Sequence, residues 1–268
     1  MSRPLVMLLQ QAALAPNNMN MMARMMGTLA QSNASPLYQL RNSWNPLLAA
    51  REYSTQNSAP FGPQVLQDTK AQWQALAGAG QVNPCHSKLH PAVVTGVVAL
   101  PEGDVELSVQ EAYTPRGTCF GCGPSHPDGL HLRSMRIKNG LEAVVQLDRK
   151  YVAFPGIVNG GIVGALIDCH ANWAASVALM DRACLPKPPL TLTASTLTNF
   201  KAPTPPGVLL LVRSLVVSIK DSRQPGIVRA SVEVETTIHL KPNEGEALGK
   251  VLVQSKSVHK RMGALRAL

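Results

Sequence analysis

Two glycines and one carboxylate stand where they could do acyl-transfer chemistry. Gly156-Ile157-Val158-Asn159-Gly160-Gly161 opens a long apolar run, and Asp168 follows about two turns further on. Backbone amides at Gly160 and Gly161, at the start of a helix, can donate to a carbonyl oxygen as negative charge develops on it, and the helix dipole helps. Glycine allows the close approach. Asp168 could then act as a general base toward water, or as a nucleophile through a mixed anhydride. It is the single carboxylate on a face of Gly161, Gly164, Ala165, Ala171, Asn172 and Ala175. A helix that is apolar nearly all round is a buried one, so Asp168 is expected to be buried, where a carboxylate must be paired, hydrogen-bonded or used.

The element that must carry these groups is a helix running to about Met180, with Ile162, Leu166, Cys169, Trp173 and Val177 as its apolar stripe. It is long enough to suggest a membrane span, but Asp168, His170 and Asn172 sit at its middle, where polar groups are most costly. No transmembrane segment is expected. Downstream the period changes from 3.6 to 2. Strands are expected over 190–199, 208–219, 227–240 and 247–258, with short turns at 203–207, 221–226 and 242–245. In 227–240, Val228, Ala230, Val232, Val234, Thr236 and Ile238 share one face. With strands at 130–138 and 141–147 ahead of the helix, the class is α+β: one long helix on one antiparallel sheet.

Around this domain, set at 118–260, the chain differs in kind. Residues 1–53 carry Arg3, Arg24, Arg41 and Arg51, no lysine and a single acid, Glu52. That composition marks a mitochondrial presequence or a retained N-terminal arm, and Arg51-Glu52-Tyr53-Ser54 resembles a presequence cleavage site. Residues 54–117 read as an extension, helical over 65–77 with Trp73 and Leu76 as anchors, and a strand over 93–100; residues 261–268 are a tail. Five cysteines in irregular spacing do not form a secreted disulfide framework. Cys119 and Cys122, followed by His126 and His131, pass a loose zinc filter, yet the Pro and Gly content fits a plain turn, and no metal is expected. A net charge of +9 favours anionic partners. Without basic runs interleaved with aromatics, nucleic acid is not among them.

These residues together resemble the hotdog-fold thioesterases, and within them the phenylacetate-type group that includes mitochondrial acyl-CoA thioesterases. The resemblance covers roughly Cys119 to Val258. Cys119-Phe120-Gly121-Cys122-Gly123 with Gly129-Leu130 looks like the family's opening segment. The Asn159-Gly160-Gly161 run with Asp168 is similar to its central motif, and Thr191-Leu192-Thr193-Ala194 with Asn199-Phe200-Lys201-Ala202-Pro203 to its threonine strand and following turn.

The resemblance implies an acyl-CoA thioesterase of the mitochondrial matrix, or of the matrix face of the inner membrane, with no cofactor beyond the coenzyme A of its substrate. Asp168 would be base or nucleophile, Gly160 and Gly161 would hold the thioester carbonyl, and Thr193 would orient water or substrate. Sites in this family are composite, so a homodimer or homotetramer is implied. Lys201, Arg213, Arg223 and Lys241 are candidate phosphate contacts. Asn159 stands where the family usually has histidine and cannot exchange protons near neutral pH. That departure keeps a second reading open: a non-catalytic accessory subunit of a large mitochondrial assembly, a respiratory complex or ribosome.

Overall fold

A computed structural model describes residues 63–100, 103, 106–224 and 227–264. The chain divides into two units, Met1–Arg51 and Glu52–Leu268. The presequence or arm at 1–53, the 225–226 connection and residues 265–268 lie outside the described residues.

Among the described residues, the extension contains three helices: α1 (Pro63–Gly78), α2 (Pro91–Val94) and α3 (Val109–Tyr113). Trp73 of α1 is buried, and Leu76 packs against the same small cluster. No strand forms over 93–100. Pro91 stands in the first turn of α2 behind the His90 cap, and Gly96 then takes φ 69°, so local turn chemistry overrides the β-branched composition.

The main domain runs β1 (Met135–Ile137), β2 (Gly140–Gln146), a 3₁₀ turn (Arg149–Tyr151), β3 (Val152–Phe154), β4 (Ile157–Val158), α4 (Gly160–Arg182), β5 (Pro189–Phe200), β6 (Leu209–Gln224), β7 (Ile227–Leu240) and β8 (Val251–Ala264). The antiparallel sheet has the order β1-β2-β6-β7-β8-β5, which places β5 at one edge. The alternation expected along β7 holds from Ala230 on, the Val228 side chain lying outside the described residues: Ala230, Val232, Val234, Thr236 and Ile238 are buried. They form the face that meets α4. Strand β8 continues through the stretch read as a tail and ends at Ala264. The first strand is shorter than the 130–138 expected, because backbone bonds from Leu130 and Leu132 to Phe120 and Gly121 hold that segment on the cysteine loop.

Val163, Leu166 and Ile167 of α4 pack on Val145, Leu210, Val212, Ile238 and Val253 of the sheet. Ala171, Ala174 and Ala175 let the next turns approach Val232 and Val234 closely. This helix is long and apolar enough to cross a membrane by length and composition, but its apolar surface is spent on the sheet as a core helix spends it.

Two of the buried histidines, His90 and His170, make the fold acid-sensitive. Burial holds His170 down to about 3, and burial together with the Arg136 charge holds His90 down to about 2. Unfolded, each titrates near 6.5. Below that pH the unfolded chain therefore binds protons that the native chain refuses, and stability falls as pH falls, by up to about 1.4 kcal/mol per unit for each histidine. Urea midpoints measured from pH 7.5 to 5 should hold steady above about pH 6.5 and drop below it. A His170→Asn variant should show a shallower drop.

Candidate active site

The start of α4 is set by a hairpin. Strands β3 and β4 turn at Pro155-Gly156, where Gly156 takes φ 79°, and the Asn159 amide donates to the Tyr151 carbonyl at 2.8 Å. Asn159 is the N-cap: its Oδ1 accepts from the Gly161 amide at 2.8 Å. Of the two amides expected to hold a carbonyl, Gly161 is thus occupied by the cap. Gly160 N–H has no acceptor among the described residues, as expected of an orphan donor at a helix start. A Cβ on Gly160 would lie 3.3 Å from Cζ of Phe200, which walls the opening from the end of β5. Asn159→Ala should free the Gly161 amide while costing about 1 kcal/mol of stability, read as a lower thermal midpoint.

Asp168 is exposed, contrary to the burial expected of it, and lies against the edge strand β5 rather than the middle of the sheet. Thr193 Oγ1 donates to Asp168 Oδ1 at 2.6 Å, so these two candidate residues meet within one chain. Strand geometry explains the aim. Thr193 pairs with His259 of β8, Ser195 pairs with Val258, and Ala194 is the extra residue of a bulge. Bulges twist the strand locally and re-aim the adjacent side chain.

That register also brings in a residue the sequence reading missed. His259 is fully buried, with Nδ1 3.2 Å from Thr193 Oγ1 and Nε2 2.8 Å from Ser257 Oγ. Thr193 has one proton and gives it to Asp168, so Nδ1 must carry the proton toward Thr193 and Nε2 must accept from Ser257. Burial holds the ring below its ordinary pKa, with the Asp168 charge opposing, so it is neutral at neutral pH. Ser257, His259, Thr193 and Asp168 form a file of hydrogen bonds, each donating toward the carboxylate. The signal available in sequence was Ser255, Ser257 and His259 on the inward positions of β8, with Lys256 and Lys260 pointing out. A face expected to be apolar is polar there.

The cationic candidates do not gather on this site. Arg213 Nε donates to Glu142 Oε2 at 2.7 Å across the β2–β6 ladder. It lies three strands from β5, about 14 Å away. Lys201 is exposed just beyond β5, and Lys241 is exposed at the far end of β7. The Arg223 side chain lies outside the described residues. A cavity of about 790 Å³ lined by Val82, Tyr113, Pro188 and Arg261 does not touch Asp168 or Thr193.

Next to Asp168 on α4, the Cys119–Cys122 loop lies against Cys169, with Cys119 Sγ 3.7 Å from Cys169 Sγ. Trp173 Nε1 donates to Cys122 Sγ at 3.3 Å. Donation from Cys169, then from Trp173 and Cys119, outweighs burial and holds Cys122 down to about 6, while the Cys169 thiol is pushed well up.

A long helix held against a six-stranded antiparallel sheet, with strands on both sides of it in the chain, is the hotdog fold. No family model and no curated protein matches the chain. Solved structures do. A thioesterase superfamily protein from Shewanella loihica is 24% identical, covering 52% of this chain and 97% of that one at a TM-score of 0.37. A Streptococcus mutans protein bound to acetyl CoA is 13% identical, covering 50% and 91% at 0.37. An acyl-CoA hydrolase mutant from Staphylococcus aureus is 20% identical, covering 47% and 65% at 0.35. At these identities and scores the fold stands on strand order and helix packing, and the chemistry on the side chains above.

Proposed function

We propose that the protein hydrolyses an acyl-CoA thioester to the free acid and CoA. The observation that carries this reading is the Thr193–Asp168 hydrogen bond of 2.6 Å on the helix that begins with the free Gly160 amide. Thr193 fixes Oδ1 and leaves Oδ2 of Asp168 for water or for the acyl carbon. Gly160 N–H would donate to the thioester oxygen as it gains charge. The neutral His259 would keep the Thr193 hydroxyl turned toward Asp168, a positioning role. The test is CoA release by the purified chain over short, medium and long acyl groups. A folded protein that releases none from any chain length would overturn the reading.

The working unit would be a homodimer, as built or doubled into a tetramer. Strand β5 is a twelve-residue edge without a single charged side chain, and Leu192, Leu197 and Phe200 are more than half exposed on it. Such an edge invites another strand, since natural edges are otherwise blunted by charge or proline. A second copy laid along β5 would cover the Asp168 opening and give the acyl group its apolar walls. Mitochondrial import remains part of this proposal, carried by the composition of residues 1–53 and checked by the location of a C-terminally tagged chain. The second reading, an accessory subunit of a large mitochondrial assembly, is favoured by one observation: Asn159 caps Gly161 and so withdraws one of the two expected carbonyl donors. Native size separates the two, since an enzyme runs as a free dimer or tetramer and a subunit with the assembly.

A further inference from the structure

The three thiols beside α4 form a cluster the proposed hydrolysis does not use. Cys119, Cys122 and Cys169 place all their sulfurs within 4.8 Å of one another. The two histidines that complete the zinc-like spacing in sequence are not in this group. His126 Nδ1 instead accepts from the Asp128 amide at 3.0 Å, inside its own turn. The third sulfur comes from the helix, 47 residues beyond Cys122.

The loop is shaped to hold this arrangement. The Gly123 amide donates to the Cys119 carbonyl at 2.7 Å, closing a Cys-x2-Cys-Gly turn. A Cβ on Gly123 would lie 2.5 Å from both the Cys119 nitrogen and the Gly117 carbonyl oxygen, so the turn closes only around glycine. A Cβ on Gly121 would lie 2.5 Å from Cys169 Sγ, so the loop rests on the helix at that sulfur only because Gly121 lacks one. Trp173 supports the Cys122 sulfur from the following helical turn.

The spacing has a specific reading. Around a tetrahedral ion with sulfur at 2.3 Å, neighbouring sulfurs are about 3.8 Å apart. Cys119 and Cys169 are 3.7 Å apart without rearrangement. A disulfide needs about 2.0 Å and would draw the pair together against the glycine-shaped contact, leaving one sulfur over.

We propose that Cys119, Cys122 and Cys169 bind a thiophilic divalent cation of the zinc class, clasping the 117–132 loop to α4. The fourth position faces the exposed side of Cys119 and is open to water or a soft exogenous ligand. On this assignment Asp168 and Thr193 contribute no ligand, although the Asp168 charge reaches the Cys122 thiol. Soft thiolate donors select this class of ion over magnesium or calcium.

The test uses the full chain, purified reduced and stripped with a chelator, and titrated with Co²⁺. Thiolate-to-cobalt charge-transfer absorption should grow to one equivalent per chain, with the visible bands of a tetrahedral ion, and Zn²⁺ should displace it. Cys119 is exposed, so Cys119→Ser should fold, and it should weaken binding more than the roughly 10–100-fold that loss of a second-shell partner costs. No charge-transfer band from the folded native chain would overturn the proposal. So would a band that persists in Cys119→Ser, or a reduced chain that takes up no metal and loses two of these thiols to a disulfide under mild oxidation. None of these readouts depends on thioester turnover.

Discussion

Asp168→Asn should lower the turnover of acyl-CoA by about 10²–10⁴, some 3–5 kcal/mol in the barrier, while leaving the fold in place. The fold survives because Asp168 is exposed and outside the core. The amide keeps the shape of the carboxyl, and its oxygen can still accept from Thr193. What it loses is the charge and the capacity to take a proton or attack. The deficit should therefore fall on kcat, with KM nearly unchanged, as when an interaction made only in the transition state is removed. The companion Thr193→Val tests a different step. It removes the donor at 2.6 Å without changing the volume much, and should leave the base present but free to turn. Its smaller loss, set beside the loss in Asp168→Asn, measures how much the orientation is worth. Single turnover in ¹⁸O-water then divides general base from nucleophile: label appears in the carboxylate of Asp168 only if a mixed anhydride forms. Native rates in Asp168→Asn would remove Asp168 from the chemistry altogether.

How far such a site can be read from sequence depends on the range of each contact. The helix and the sheet strands were legible, because each is fixed by a hydrophobic period within one element. Asp168 and Gly160 were legible for the same reason, being eight residues apart on one helix. His259 was not, since its contact with Thr193 spans 66 residues and depends on a register that the Ala194 bulge sets. A slip of one residue would have turned His259 outward. Arg213 shows the opposite failure. Its charge suited a phosphate, but β2–β6 pairing puts Glu142 directly opposite, and cross-strand partners are invisible to a reading along the chain. Cys169 joined the cysteine loop by the same kind of distant meeting. The Asn159 cap is local, and asparagine directly before two glycines at a helix start is enough to place it.

The largest stability effect should come from the buried ion pair on which the extension packs. Arg136 of β1 donates to Asp181 at the end of α4 from both terminal nitrogens, at 2.6 and 3.2 Å, and both side chains are nearly buried. Arg136 Nε also meets Cys85 Sγ at 3.3 Å, and Cys85 Sγ lies 3.1 Å from the Tyr113 hydroxyl. His90 Nε2 stands 4.0 Å from Asp181 while its Nδ1 accepts from the Ala92 amide, so the neutral ring turns its N–H toward the carboxylate. Residues of the extension therefore complete the desolvation of a charge pair that belongs to the domain. Burial pushes the Asp181 carboxyl up and the guanidinium opposes it, while Asp181 holds Arg136 firmly charged. Asp181→Ala would leave that guanidinium buried without a partner, and should cost about 3–5 kcal/mol. Urea unfolding would show it as a lower midpoint, with protease cleavage in the 83–113 segment well below the global transition. Replacing both, Arg136→Met with Asp181→Leu, should recover most of the loss, because an apolar pair of similar volume carries no desolvation penalty. A single variant costing under about 1 kcal/mol would mean that water reaches the pair, and that the extension packs on the domain without enclosing it.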